Sequence, residues 1–512
     1  MHNLILYNAN VIPLRDDNAR TELVAISNGR ISWVGEKSDL SLLKGPNTRA
    51  IDCQGYTLVP GFIDAHCHVL AYASSLMAMD CSPAAVRSIE DIQAALRKGA
   101  SAAPIDQWVR GAGYNEFYLE ERRHPTRWDL DKASPDRPVR LSHRSGHALV
   151  LNSLALSLAG ITSKTEEPPG GVIERDIQTG EPTGLLLEMN DYMERVMPPL
   201  GEAQMAEGLR EANRGLLSFG VTSVHDATPS NSLERWLAFR RIKEEGIFLP
   251  RVTFMIGAKH IQEFLEADLA VKGGDEKLSL GAVKVVLTAT SGALNPPEDE
   301  LWHTILRIHE QGFQVAIHAV EAQAVLAAGK ALSQAIQRVP RRDHRHRIEH
   351  CSECPPEVLR ELKGKALLVV TQPAFIYHSG ERYLAEVPQE MQPWLYRMGS
   401  FAKAGLAPSA SSDAPVVPPN PLLGLYAAVT RMAETGRLLS PEEASSPLEA
   451  LKAYTLNGAY AAFQEKERGT VEVGKLADLA LLDGDPTMVE PEHIRDIRVM
   501  MTVLGGEIVW QR

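Results

Sequence analysis

The run GFIDAHCH at residues 61–68 decides the reading of this chain. It starts apolar and ends polar, as a strand buried on both faces does where it reaches the end of a sheet. Residues i and i+2 of a strand share a face, so His66 and His68 present two imidazoles to one point. Two neutral imidazoles on one face make half of a divalent-metal site. The plainer alternative is two polar residues at a strand end.

Seven further runs of the same kind follow: VTSVHD (221–226), RVTFMIG (251–257), AVKVVLT (282–288), FQVAIHA (313–319), HRIEHC (346–351), ALLVVTQ (366–372) and LAPSASSD (406–413). From the second onward they recur every ~20–40 residues, the size of a βα unit. Amphipathic stretches such as PEDELWHTILRIHEQG lie between them. The economical fold class is α/β, a (β/α)8 TIM barrel.

A barrel brings the C-terminal ends of its strands to one face. Lys284 lies inside the fourth run, and His318, His350 and Asp413 end the fifth, sixth and eighth. Together with His66 and His68 they deliver metal-competent groups from five strands to one mouth. Lys284 interrupts an apolar run, where a bare ammonium is costly. It is either paired with a carboxylate, or snorkelling, or an amine of depressed pKa. Such an amine reacts with CO2 to give a carbamate able to bridge two metals.

Outward from the barrel, the two ends of the chain read as β-structure. LILYNANVIPL, ELVAISNGRISWVG, GTVEVGKLADLALLD and RVMMTVLGGEIVWQ are strand-rich, with Asn28-Gly29 and Gly505-Gly506 as turns. One small sheet built from both termini is expected. Residues 71–220 are too many for one βα connection and contain strand-like and turn-rich text of their own. They read as a subdomain inserted over the mouth of the barrel.

Composition narrows the function. Of 512 residues, 53 are Lys or Arg and 65 are Asp or Glu, a formal charge of −12. That balance argues against a nucleic-acid binder. Five cysteines make no secreted disulfide framework. The first ten residues lack the features of a signal peptide, and no apolar run reaches the ~18 residues of a membrane span. A cytoplasmic protein with no membrane partner is expected. Cys351-Ser-Glu-Cys354 lacks a second pair and is not read as a zinc site, and Arg341–Arg347 is read as a solvated basic loop. No nucleophile elbow, Walker loop or dinucleotide fingerprint occurs in the right setting.

Taken together, PGFIDAHCHV, LDKASPDRPVRLSHRSGHALVLNS, GGVIERD, GEPTGLLLE, GVTSVHDA, VAIHAV, RIEHC, SSDAP and GKLADLALLD resemble the amidohydrolase superfamily. They are most similar to its YtcJ-like branch, which includes N-substituted formamide deformylases. The resemblance implies a β-sandwich of residues 1–60 and 464–512 beside a distorted barrel of 61–463, with an insertion at about 71–219. It implies one metal on His66, His68 and Asp413 and a second on His318 and His350, bridged by carboxylated Lys284. The His-rich set favours zinc. Asp413 would take a proton from the attacking hydroxide-forming water and pass it to the leaving nitrogen.

The implied substrate is a small amide-type molecule, and a homodimer is expected. His147 and Asn152 are candidates to orient the substrate, with a structural role as the alternative. Tyr114 could line the pocket or pack in the core, and Gln372 follows the seventh strand at the substrate face. His225 and Asp226 either support the ligands or touch the substrate. Thr288–Gly292 and Ser145-Gly146-His147 differ from the branch's usual Asp-Gly and Asp-Gly-His. Two rivals stand beside the hydrolase: a one-metal deaminase in which Glu321 of His318-Ala-Val-Glu321 protonates a ring nitrogen, and a non-catalytic scaffold.

Overall fold

The computed structural model describes residues 2–15, 19–102, 107–269, 273–289 and 292–512. Eight strands, all parallel, follow one another around the expected barrel: β1 (Phe62–Cys67), β2 (Val221–Asp226), β3 (Arg251–Gly257), β4 (Leu278–Val286), β5 (Val315–Ala319), β6 (Arg347–His350), β7 (Leu368–Thr371) and β8 (Ser409–Ala410). Each lies within or across one of the eight runs read from the sequence. All but β4 are buried along their whole length, which is why they read as apolar runs. Helices such as Glu298–Glu310 fill the intervals.

β8 has only two residues, so side chains and loop backbone complete the seam with β1. The Asp413 amide donates to His66 O at 2.9 Å, and the Ser412 amide to Asp64 Oδ1 at 3.0 Å. The Ser412 hydroxyl donates to the other Asp64 oxygen. Burial raises the Asp64 carboxyl to about 6, and the hydrogen bonds from Ser412 and the His66 amide oppose that rise.

The two ends of the chain share one hydrogen-bonded sheet of eight strands. Leu4–Val11 makes this possible: its first half pairs with Arg49–Asp52 and its last residues with Thr57–Pro60. Thr57–Pro60 then pairs with the C-terminal strand Leu479–Leu482. The turn residues Asn28 (φ 50°) and Gly29 (φ 77°) both have positive φ, as a tight hairpin requires. This sheet and the barrel belong to one compact unit.

Arg251, the first residue of β3, ties the two parts of that unit together. Its Nε and Nη2 donate to the two oxygens of Asp478 at 2.7 and 2.9 Å, and both side chains are buried. The Gly505 amide adds a third hydrogen bond to Asp478.

A second compact unit comprises Val69–Ala212 with Ala414–Val417. Its mixed six-stranded sheet runs in the order Val172–Arg175, Pro182–Leu187, Ala148–Leu151, Val139–His143, Val109–Tyr114 and Met79–Asp80. The insertion is thus a folded unit with its own core.

The basic run Arg341–Arg347 is not a solvated loop. Arg347 has 1% of its surface exposed and His346 none. Arg345 lies over the rings of Tyr460 and Phe463, 3.9 and 4.3 Å from their centroids, and pairs with Glu465. The aromatic faces and the carboxylate replace the water that a loop would have supplied. Within the run, His346 Nδ1 accepts from the Val315 amide at 2.9 Å and His346 Nε2 donates to His309 Nδ1 at 2.8 Å. His309 Nε2 then donates to Val339 O at 2.8 Å. The backbone amide and carbonyl fix both rings as neutral tautomers.

Two expectations follow. Asp478→Ala leaves Arg251 buried without its counter-charge and should cost about 3–5 kcal/mol, read from the urea unfolding curve. Burial, followed by the nearby Arg341 charge, lowers His344 from 6.5 to about 4, and burial holds His346 well below 6.5. The unfolded chain then binds more protons than the folded one below pH 6.5. Stability should therefore be full above that pH and fall between pH 6.5 and about 4, and His344→Gln should flatten the fall in a pH series of unfolding midpoints.

Candidate metal centre

The end of β1 supplies the first candidate donors, His66 and His68. His66 is fully buried, with Nε2 3.5 Å from Asp413 Oδ1, and His68 Nε2 is 3.1 Å from the same oxygen. One donor atom each from His66, His68 and Asp413 falls within 4.8 Å of the others. Lys284 Nζ, from β4, lies 3.4 Å from His66 Nε2. His350 Nδ1 is 4.0 Å from Asp413 Oδ2, and the His318 and His350 rings are 4.4 Å apart at their centroids. All six groups singled out in the sequence therefore occupy one end of the barrel.

Two of them need unusual backbone. Glu349 and His350 are sequence neighbours, yet both reach the centre, which strand alternation alone forbids. His350 has φ 68° and ends the strand, so its side chain is re-aimed; Asp413 does the same with φ 56° after β8. Each left-handed residue costs on the order of 1–3 kcal/mol, and such residues cluster at functional sites.

The rings are fixed from behind. His66 Nδ1 is hydrogen-bonded to Glu349 Oε2. Glu349 is itself clamped by Arg347, whose Nε donates to Oε1 and whose Nη2 donates to Oε2 at 2.9 Å. Arg347 also donates to Ala65 O at 2.6 Å and to His225 Nδ1 at 3.1 Å. His68 Nδ1 meets Thr228 Oγ1 at 3.2 Å, and the loop carrying Thr228 is pinned by Asp226, which accepts from the Thr228 amide and from Asn231. His350 Nδ1 meets Gln372 Oε1 at 3.0 Å. Three Nδ1 atoms are thus occupied by oxygens, and Nε2 of His66 and of His68 face the Asp413 carboxylate.

The electrostatics suit a cation. Burial, then the Lys284 charge, drives His66 well below 6.5, and burial brings His350 to about 4, so both rings are neutral near pH 7. Burial alone would raise Asp413, but the His68 hydrogen bond and the neighbouring imidazoles outweigh it and hold the carboxyl well below its usual range. Burial lowers Lys284 to about 8. His350 Nε2 is sealed from solvent without a hydrogen-bond partner. A buried lone pair beside a carboxylate and neutral imidazoles is the donor set that a divalent ion fits.

The residues expected to touch substrate fare differently. Gln372 is fully buried behind His350, its amide nitrogen donating to Ser411 Oγ at 3.0 Å. Asn152 is a scaffold residue: Oδ1 accepts from the Val139 and Ala155 amides, and Nδ2 donates to Ser134 O and Arg137 O. Every hydrogen-bonding position of its amide is used by main chain. Tyr114 exposes no surface, packs in a core cluster and meets His124 Nδ1 at 2.9 Å, so it lines no pocket. His147 is exposed and pairs with Glu188 at 2.9 Å. Glu321 Oε2 accepts from the Ala289 amide at 3.3 Å. Thr290 and Ser291 of the Thr288–Gly292 segment lie outside the described residues.

Sequence reasoning missed Glu349, Arg347 and Thr228 as supports of the ligands. The signal for the first two was present: Arg and Glu at i and i+2 of an otherwise apolar strand share a face and can pair.

The sequence profile of the amidohydrolase family matches residues 49–510. The chain is 30% identical to an N-substituted formamide deformylase of Arthrobacter pascens, over 100% of this chain and 99% of that protein. It is 28% identical to a putative amidohydrolase, YtcJ, of Bacillus subtilis (strain 168), over 98% of both. Its fold matches the crystal structure of an uncharacterized metal-dependent hydrolase from Pyrococcus horikoshii OT3, with a TM-score of 0.75 and 22% identity over 96% of this chain and 99% of that one. With a family match across nine-tenths of its length and a full-length relative at 30% identity, the chain belongs to the amidohydrolase family.

Proposed function

We propose that the chain hydrolyses an amide-type carbon–nitrogen bond of a small molecule. The observation that carries this reading is the convergence of His66, His68, Lys284, His318, His350 and Asp413 at one end of the barrel. His66, His68 and Asp413 would hold one divalent ion and His318 and His350 a second, with carboxylated Lys284 between them; zinc suits the set. Bound there, such ions supply Lewis acidity, which lowers the pKa of water and polarises a carbonyl oxygen.

The chain's own groups do the rest. With a pKa of about 8, about a tenth of Lys284 is neutral at pH 7, far more than of an ordinary lysine. Its nitrogen can bond to CO2, losing one proton and gaining two oxygens that share one negative charge. Asp413 stays ionised and serves as the base: it takes a proton from water and returns it to the departing nitrogen. The net reaction puts OH on the acyl carbon and H on the amine. Glu349 holds His66 Nδ1, so that Nε2 keeps its lone pair toward the centre. The deformylase relative supports N-formyl and N-acyl amines as the first substrates to screen.

A second reading, one metal and deamination of an aminated heterocycle, rests on the His318-Ala-Val-Glu321 spacing and leaves Lys284 idle. Metal content separates them. Protein expressed with zinc and bicarbonate should carry two metals per chain by elemental analysis; one metal would favour the deaminase, and none the scaffold.

Asp413→Asn should keep most of the metal and lose about 10²–10⁴-fold in kcat, measured on the best N-acyl substrate. Full activity in that variant would remove Asp413 from the chemistry. Glu349→Gln should weaken zinc binding about 10–100-fold in equilibrium dialysis of the metal-stripped protein. Unchanged affinity there would mean that His66 is oriented by something other than Glu349.

A further inference from the structure

We propose that Arg110 and Arg140, on the insertion unit, form a binding site for the carboxylate or phosphate group of a small molecule. The strands Val109–Tyr114 and Val139–His143 pair in parallel with Arg110 opposite Arg140. The alternate residues Val109, Val139 and Leu141 pack into one core cluster, which leaves the two arginines side by side on the other face. Like charges directly opposite on neighbouring strands repel, and both guanidiniums are partly withdrawn from water.

Their hydrogen-bond partners are all uncharged. Each donates to the same acceptor, Met197 Sδ, at 3.9 Å. Arg110 Nη2 also donates to Pro198 O at 2.7 Å, and Arg140 Nη2 to Asn190 Oδ1 at 3.3 Å. Arg140 Nε is sealed from solvent with no partner. Among the described residues no salt bridge within 4.0 Å is formed by either arginine, and the Glu194 charge, which favours the charged form of Arg140, acts on one of the two only. Burial lowers both guanidiniums from 12.5, Arg140 to about 10 with Arg110 adding to the fall.

A thioether is a poor acceptor, and two planar forks side by side match an anion with two or more equivalent oxygens. Trp108, Tyr192 and Met197 pack on the neighbouring core cluster and are only partly buried, so an apolar body attached to the anion would find contact there. The site stands whether or not the hydrolase reading holds.

Thermal unfolding of the full chain tests it, with inorganic phosphate and benzoate titrated separately at constant ionic strength. The wild-type midpoint should rise by about 2–4 °C and saturate in the millimolar range with at least one of them. Saturation with benzoate assigns an organic carboxylate, and saturation with phosphate alone a phosphate group. The R110M/R140M double variant should lose the rise, and without anion its midpoint should equal or exceed the wild type's, because the repulsion is gone. Arg140→Lys, which keeps the charge and loses the fork, should shift the titration to higher anion concentration. A wild-type midpoint that does not saturate with either anion overturns the site, as does an Arg140→Lys titration that superimposes on the wild type's.

Discussion

The Glu349 carboxylate, fully buried between Arg347 and His66, is the constraint around which the barrel is arranged. A carboxylate in that position without partners would cost several kcal/mol, and Arg347 alone would cost as much. Paired, they still need the remaining donors and acceptors satisfied, and the barrel does this with Ala65 O, His225 and His66. Those partners come from β1 and β2, whereas the pair itself sits on β6. The charge pair therefore links opposite sides of the barrel, and the position of His66 is set by a group from a strand far away in sequence.

The seam between β8 and β1 answers a different demand. β8 is too short to close the sheet by ladder hydrogen bonds, so Asp64 and His66 O take up the amides of Ser412 and Asp413. The same contacts that close the barrel place the Asp413 carboxylate over the two β1 imidazoles. Closure and ligand placement are one event, which is why a left-handed Asp413 is tolerated.

The barrel was legible because its strands are buried on both faces, and most of the candidate metal-binding groups were legible because they end those strands. His-x-His, the fifth-strand and sixth-strand histidines and Asp413 needed only the rule that parallel strands end together. Glu349 was not singled out, since a charge in an apolar strand is readable only when its partner two residues away is weighed with it. Asn152 and Tyr114 misled for the opposite reason: a helix-capping amide and a buried phenol look like recognition groups in sequence, and only the saturation of their hydrogen bonds shows them to be scaffold. The basic run before β6 misled because aromatic stacking from Tyr460 and Phe463 joins residues more than a hundred positions apart.

The Ser411 hydroxyl donates to Thr371 O, which leaves its oxygen to accept from Gln372 Nε2 and turns Gln372 Oε1 toward His350 Nδ1. A backbone carbonyl thus dictates, through two side chains, that His350 carries its proton on Nδ1 and its lone pair on Nε2. Glu349 dictates the same for His66. Imidazoles bind a metal only when neutral, and in an open site near neutral pH a proton competes for the same nitrogen. At His66 and His350 burial has already removed that competitor, so these two donors are ready before any cation arrives. Substituting Gln372 by an apolar residue of similar size would leave the His350 ring in place and remove the acceptor that fixes its proton on Nδ1.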